Sequence, residues 1–282
     1  MNKRLVSIAM VSLGVAAACA VLVALTSATD WVDGDYRIWA ATPGRCAAIP
    51  WAKKAGSGES RTIDLDWGGS DAVRIKIPAR VQYHPGPKAQ ASVSGDAELV
   101  SHVRLRDGTL EWDAVDDCFP AGDLVVQLSG PAVTAWTLNG SAELALSDIK
   151  QDALRITMHG SGKVTASGEA HEVSLDAAGS GRADLNIKQD ALRITMHGSG
   201  AVVASGEAHD VSLHATGSSS ADLGKLVAQQ VSARISGSGD ADLAPREEVD
   251  ISISGSGVVR LHGNGAQVHS HISGSGQIKQ VP

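Results

Sequence analysis

From Trp136 onward, apolar and polar residues alternate, and the alternation recurs in blocks of about 19 residues. Each block is marked by a glycine that leads a Gly-Ser turn, at Gly140, Gly160, Gly179, Gly198, Gly217, Gly237, Gly255 and Gly274, with spacings of 20, 19, 19, 19, 20, 18 and 19. Aligning the blocks on this glycine produces columns. Two positions before it stand Leu138, Met158, Ala177, Met196, Ala215, Ile235, Ile253 and Ile272; four before stand Trp136, Ile156, Leu175, Ile194, Leu213, Ala233, Ile251 and Ser270. Six before, from the second block on, the column is Leu154, Val173, Leu192, Val211, Val231, Val249 and Val268. Two further columns follow the glycine, one running from Leu144 to Ile278 and one from Leu146 to Gln280. Successive side chains of a strand point to opposite faces, so period-two alternation predicts one strand before each turn and one after it, both with an inward aliphatic row.

A single 19-residue coil cannot bury such a row. Stacked coils, about 4.8 Å apart, pair their backbones and merge the rows into one core. The pattern therefore predicts an all-β fold, a parallel β-helix or solenoid with rungs of about 19 residues. The repeat also has a longer period: Ile149–Gly162 recurs without change as Ile187–Gly200, an offset of 38 residues. The last block places Ser270 and Gln280 in apolar columns, as terminal repeats often do. Residues 59–131 are less regular. Strands are expected there over Ser60–Asp66, Ala72–Ile77, Ala89–Ser94, His102–Leu105, Thr109–Ala114 and Asp123–Leu128, with Asp107-Gly108 as a hairpin turn.

The N-terminus reads differently. Lys3 and Arg4 precede an uncharged stretch from Leu5 to Thr29. Its length suits a bilayer span, and the preceding charges orient the rest of the chain outward. Residues 1–29 are expected to be a membrane helix, either a signal anchor in the inner membrane through residues 5–28 or a signal peptide cleaved after the small residues Thr26-Ser27-Ala28. Lipidation at Cys19 is a third reading, opposed by an Ala-Ala-Ala approach and by the apolar run continuing past it. Residues 30–58 form a membrane-proximal linker, and 59–282 the β-helix domain, regular from 132. Every reading exports the body of the protein to the cell envelope or periplasm. There, Cys46 and Cys118 either pair or stay as small buried thiols. A bridge closing about 70 residues would contribute roughly 4 kcal/mol in the chain-entropy model.

Charge and composition narrow the function. The net charge is −7, and removing the two basic residues of the leader leaves −9, which excludes a general nucleic-acid binder. All nine aromatic residues lie between Trp31 and Trp136. Candidate chemistry is sparse. Asp184, Asp222 and Asp242 each stand five positions after a turn glycine, a candidate Ca²⁺ ladder or a solvated acidic stripe; the nine-residue Gly-Gly repeat of calcium-binding β-rolls is missing. His159 and His197 are equivalent but two coils apart, while His269 and His271 share a strand face. None of these has the spacing of a structural zinc site, so no metal or cofactor is expected. Asp240, Asp242 and Asp222 offer carboxylate pairs of the kind glycoside hydrolysis needs. The repeats carry no aromatics to hold sugar, and neither a nucleophile elbow nor a phosphate loop is present. No catalytic residue is expected.

Val93–Leu99 (VSGDAEL), Asp107–Glu111 (DGTLE) and the serial SGSG turns at Ser236–Gly239, Ser254–Gly257 and Ser273–Gly276 together resemble the GIN domain, described as an auto-transporter adhesin head domain. The resemblance spans roughly Arg61 to Val281. It implies a right-handed β-helix in a bacterial envelope protein and supplies no catalytic residues. The expected function is a non-catalytic, adhesin-like module for a surface glycan or protein. A self-associating structural protein and a carbohydrate-active enzyme are the alternatives.

Overall fold

The computed structural model describes residues 59–113 and 123–281. Eighteen strands occur in this region: β1 (Ser60–Leu65), β2 (Ala72–Ile75), β3 (Arg80–Pro85), β4 (Gln90–Asp96), β5 (Val103–Arg106), β6 (Thr109–Trp112), β7 (Val125–Gly130), β8 (Ala135–Gly140), β9 (Glu143–Gly160), β10 (Lys163–Gly179), β11 (Arg182–Lys188), β12 (Ala191–Gly198), β13 (Ala201–Gly217), β14 (Ser220–Gly237), β15 (Asp240–Gly255), β16 (Val258–His262), β17 (Gln267–Gly274) and β18 (Gln277–Val281). One short helix, α1 (Ala97–Ser101), joins β4 to β5.

The chain winds as a β-solenoid. Each coil runs along one wall, turns at the Gly-Ser step, returns along a second wall, and bends through a short corner into the next coil. The register keeps every turn glycine above the last: Gly160 pairs with Gly179, Gly179 with Gly198, and Gly198 with Gly217. The turn serine donates its backbone N–H to the glycine carbonyl one coil earlier, as Ser199 does to Gly179 at 2.9 Å. The aliphatic columns face inward as expected. Ile156, Leu175, Ile194 and Leu213 are all nearly inaccessible, as are Val164, Ala183, Val202 and Ala221 on the other wall. The apolar rows of adjacent coils thus remove one another from water, the main favourable term in such a fold.

Three features depart from the sequence expectation. First, the strand before and the strand after the corner fuse: β9, β10, β13, β14 and β15 each continue through it, absorbing register shifts near Ala166 and Val203. Second, the columns begin earlier than the glycines do. Val73 and Ile75 of β2 lie beneath Trp136 and Leu138, and Val81 and Tyr83 of β3 lie beneath Leu144 and Leu146. The strand β3 was not expected, because Pro78 and Pro85 bracket it and its turn lacks the glycine. Third, the irregular N-terminal region includes a helix that was not expected, α1, whose Leu99 and Val100 are buried; beside it β1 pairs antiparallel with β4, β4 with β7, and β5 with β6 across the expected Asp107-Gly108 turn. Asp96 caps that helix by accepting the backbone N–H of Glu98 at 3.0 Å.

The expected leader (1–29), the linker (30–58), Cys46 and Cys118 lie outside the described residues. Among the described residues no helix is long and apolar enough to cross a membrane.

Candidate functional site

The corner of the solenoid carries the most organised chemistry. Its composition follows from the 38-residue duplication. Two coils contribute Ile-Lys-Gln-Asp (Ile149–Asp152 and Ile187–Asp190), and the two interleaved with them contribute Gly-Glu-Ala-His (Gly168–His171 and Gly206–His209). Parallel register then stacks unlike on unlike. Lys150, Glu169 and Lys188 are successive partners, and Glu207 follows on the next coil. Two positions further, Asp152, His171, Asp190 and His209 form a second alternating row, held by backbone bonds from Asp190 N–H to His171 O (3.0 Å) and from His209 N–H to Asp190 O (2.9 Å).

Glycine alternates with isoleucine for a steric reason. Ile149 and Ile187 are buried, and a Cβ on Gly168 would sit 2.2 Å from the carbonyl oxygen of Ile149. The backbone of Gly168 thus lies too close to the backbone of Ile149 for any side chain at that position.

Between the two charged rows lies an open groove of about 650 Å³. Ala170, Gln189 and Ala208 form its floor, all more than nine-tenths buried. Gln189 is one of two buried polar residues among those described, and its side-chain amide makes no hydrogen bond to another described residue. Gln151, one repeat earlier, instead donates to the carbonyls of Val133 (3.2 Å) and Ala153 (2.6 Å). Gln229 and Arg246 extend the groove toward the C-terminal coils.

His171 is the most perturbed group here. Its Nδ1 lies 2.7 Å from Asp190 Oδ2, and its Nε2 lies 3.9 Å from Asp152 Oδ1. The hydrogen bond to Asp190, then the charges of Asp190 and Asp152, raise its pKa above the usual histidine value. His209 bonds Asp210 instead, at 3.0 Å. Among the described residues, no ion pair joins members of the Lys150–Glu169–Lys188–Glu207 row, so these side chains remain available to a ligand.

The residues singled out from the sequence lie elsewhere. Asp222 and Asp242 are register partners on adjacent coils, as anticipated. Arg260 and His262 occupy that stripe, however: Arg260 is 3.5 Å from Asp240 and 3.4 Å from Asp242, and His262 is 3.2 Å from Asp242. Asp240 also accepts the backbone N–H of Val258 at 3.0 Å, and Asp184 is paired with Arg182 at 2.9 Å. Asp184, Asp240 and Asp242 are thus paired with basic side chains from within the fold, while Asp222 accepts the backbone N–H of Gly224 at 3.3 Å. No group of His, Cys, Asp or Glu suited to hold a metal occurs among the described residues. His159 and His197 are separated by Ala178 on the intervening coil. His269 and His271 are exposed on the last coil, where His269 reaches Glu248 at 3.7 Å. The sequence reading missed the groove. The signal was present in the 38-residue offset, whose consequence is that neighbouring coils differ and alternate coils agree.

Comparison with known proteins agrees with this architecture. No curated protein matches the sequence. Solved structures do. A "putative lipid binding protein" from Parabacteroides distasonis ATCC 8503 is 21% identical with a TM-score of 0.72, covering 80% of this chain and 98% of its own. A "putative adhesin" from Parabacteroides merdae ATCC 43184 is 19% identical with a TM-score of 0.73, covering 80% and 97%. Another, from Bacteroides fragilis NCTC 9343, is 21% identical with a TM-score of 0.59, covering 79% and 98%. At these identities the likeness concerns the fold. The family described as "Putative auto-transporter adhesin, head GIN domain" matches residues 71–186 and again 167–265, which together take in most of the solenoid. The chain belongs to this GIN-domain family.

Proposed function

We propose that this protein is a non-catalytic, adhesin-like binding module of the bacterial cell envelope, and that the corner groove is where it meets a surface glycan or protein. The groove carries this reading. It follows the solenoid from Lys150 to Arg246, and Lys150, Glu169, Lys188 and Glu207 present alternating charge beside the side chain of Gln189. Such a row favours an extended polymer that can meet several coils at once, each contact weak and their sum appreciable. The family description and the adhesin-like names of structural neighbours support the same class. The apolar run after Lys3 and Arg4 supports export and attachment to the inner membrane, and the resemblance supports right-handed winding.

The test is a glycan and surface-protein array probed with the full chain and with Lys150→Gln/Lys188→Gln, which removes both positive charges without stacking like charges. These residues are solvent-facing, so the fold should survive. The expected result is binding by the parent that falls at least tenfold in the variant. Binding that the variant retains in full would remove the groove from the reading, and an array without hits would remove the binding function.

A further inference from the structure

Two asparagine-glycine pairs occur among the described residues, Asn139-Gly140 and Asn264-Gly265. In water this dipeptide carries its own reactivity. The backbone nitrogen of the glycine, once deprotonated, can attack the side-chain amide carbon of the asparagine, and glycine has no Cβ to shield that nitrogen. The attack requires the side chain and the following peptide to swing toward each other, so the fold decides which pair reacts. The first pair is held. Asn139 and Gly140 close β8 in register with His159 and Gly160 of β9, and the Gly140 carbonyl oxygen accepts the N–H of Ser161 at 2.9 Å. The second pair is not held. It lies between β16 and β17 and belongs to neither strand, and Gly263, Asn264 and Gly265 are all exposed. Neither the Gly265 N–H nor the Asn264 amide makes a hydrogen bond to another described residue. A Cβ on Gly265 would meet nothing nearer than the carbonyl oxygen of Arg246, 3.6 Å away, so the space around its nitrogen is open.

We propose that Asn264 is a site of spontaneous covalent modification in the folded protein, and that the fold protects Asn139 from the same reaction. Water is the co-reactant. The Gly265 nitrogen gives its proton to solvent and bonds to Cγ of Asn264; the Cγ–Nδ2 bond breaks, and Nδ2 leaves as ammonia. The product is a five-membered succinimide. Water then opens it at either carbonyl, giving an aspartate or an isoaspartate whose main chain runs through Cβ. An uncharged amide becomes a carboxylate in both cases. The position gives this change a place in the solenoid. β15 and β17 set Glu248 beside Gln267, and three residues earlier on each side Asn264 follows Pro245, with which it lines a small cavity. Pro245 in turn pairs with Ala228, and Ala228 with Ala208 of the groove floor. The reaction therefore puts a new negative charge at the end of the column that floors the groove, on the coil after that of Arg246. The isoaspartate route also lengthens the main chain by one atom, three residues ahead of the start of β17.

The test keeps the full folded chain in warm, mildly alkaline buffer and follows its peptides by chromatography and mass spectrometry. Residue 264 should convert steadily, seen as NH₂ replaced by OH with separate aspartate and isoaspartate products, while residue 139 converts at least tenfold more slowly because the β8–β9 ladder must open first. In strong denaturant, where neither pair is held, the two rates should converge. Gly265→Ala is compatible with the corner, since Gly265 has no positive φ and its added Cβ makes only an ordinary contact. It should slow conversion at 264 at least tenfold and leave the thermal melt unchanged, and Asn264→Gln should abolish conversion there. Equal rates at 139 and 264 in the folded chain overturn the proposal. So does a residue 264 that stays intact in the folded chain yet reacts in denaturant, or a preference for 264 that denaturant leaves unchanged, because the fold would then not be its cause.

Discussion

Gly198 and Gly140 occupy the same column yet should respond very differently to a methyl group. Both have a positive φ, 117° at Gly198 and 89° at Gly140, a region that costs an L-residue about 1–2 kcal/mol. Their surroundings separate them. A Cβ on Gly140 would meet nothing within 4 Å, whereas a Cβ on Gly198 would lie 2.6 Å from the carbonyl oxygen of Gly179. That oxygen already accepts the N–H of Ser199 at 2.9 Å. It can withdraw only by weakening this bond, worth about 1 kcal/mol, and by prising apart coils that the rest of the register holds together. Gly198→Ala should therefore cost about 3–4 kcal/mol and Gly140→Ala about 1–2, a difference of roughly 2 kcal/mol. For a domain of this size, that difference lowers the melting temperature by about 4–8 °C. Urea unfolding followed by far-UV circular dichroism, with parent and both variants side by side, measures it. Equal losses in the two variants would refute the claim that close stacking of the turns, rather than backbone conformation alone, requires the glycine.

Two further expectations follow from the core and the groove. Leu175 is 1% exposed and stacks between Ile156 and Ile194, so Leu175→Ala should cost about 2–5 kcal/mol in the same assay; a loss below 1 kcal/mol would mean that the column is not packed. His171 should titrate above the ordinary histidine value of about 6.5 by NMR, and Asp190→Asn should move it back toward that value. Because the folded pKa is raised, the contribution of His171 to stability is fully present below about pH 6.5 and is lost as the pH rises through the higher folded value. Its ring is exposed, so the effect will be seen in the titration far more clearly than in the melt. A titration curve unaltered by Asp190→Asn would remove Asp190 as the cause.

The solenoid was legible because its core is built from one short rule repeated. Glycine at a fixed spacing and alternating aliphatics on either side suffice to specify turn, wall and inward face, and the burial of Ile156, Leu175 and Ile194 follows directly. The rule failed where its punctuation was missing. The coil made by β2 and β3 stacks Ile75 under Leu138 and Val81 under Leu144, but it turns through Pro78 without a Gly-Ser step, and about 60 residues separate it from its neighbour above. Register across such a gap is decided by tertiary packing. α1 was likewise missed: five residues hold too little periodicity to be read, and a side-chain cap from Asp96 with burial of Leu99 and Val100 holds it. The acidic stripe of Asp222 and Asp242 was placed correctly, but its chemistry was not foreseen, because Arg260 and His262 enter it from a later coil.

The length of the duplicated unit matters as much as its sequence. Parallel in-register stacking of identical segments sets every side chain above its own kind, the arrangement of cross-β fibrils. Had a single 19-residue coil been copied here, Lys150 would lie over another lysine and Asp152 over another aspartate. At one coil spacing, like charges repel by about 1 kcal/mol in water and roughly 3.5 kcal/mol at the effective dielectric of a protein surface. A two-coil unit of Ile-Lys-Gln-Asp followed by Gly-Glu-Ala-His avoids this at both rows: Glu169 separates Lys150 from Lys188, and His171 separates Asp152 from Asp190. The same alternation meets a steric demand inside the corner, where the Gly168 backbone lies too close to that of Ile149 for a Cβ. The 38-residue period is thus the shortest that lets this corner be copied without stacking like charge on like, and the groove with its alternating rows is the direct geometric product of that constraint.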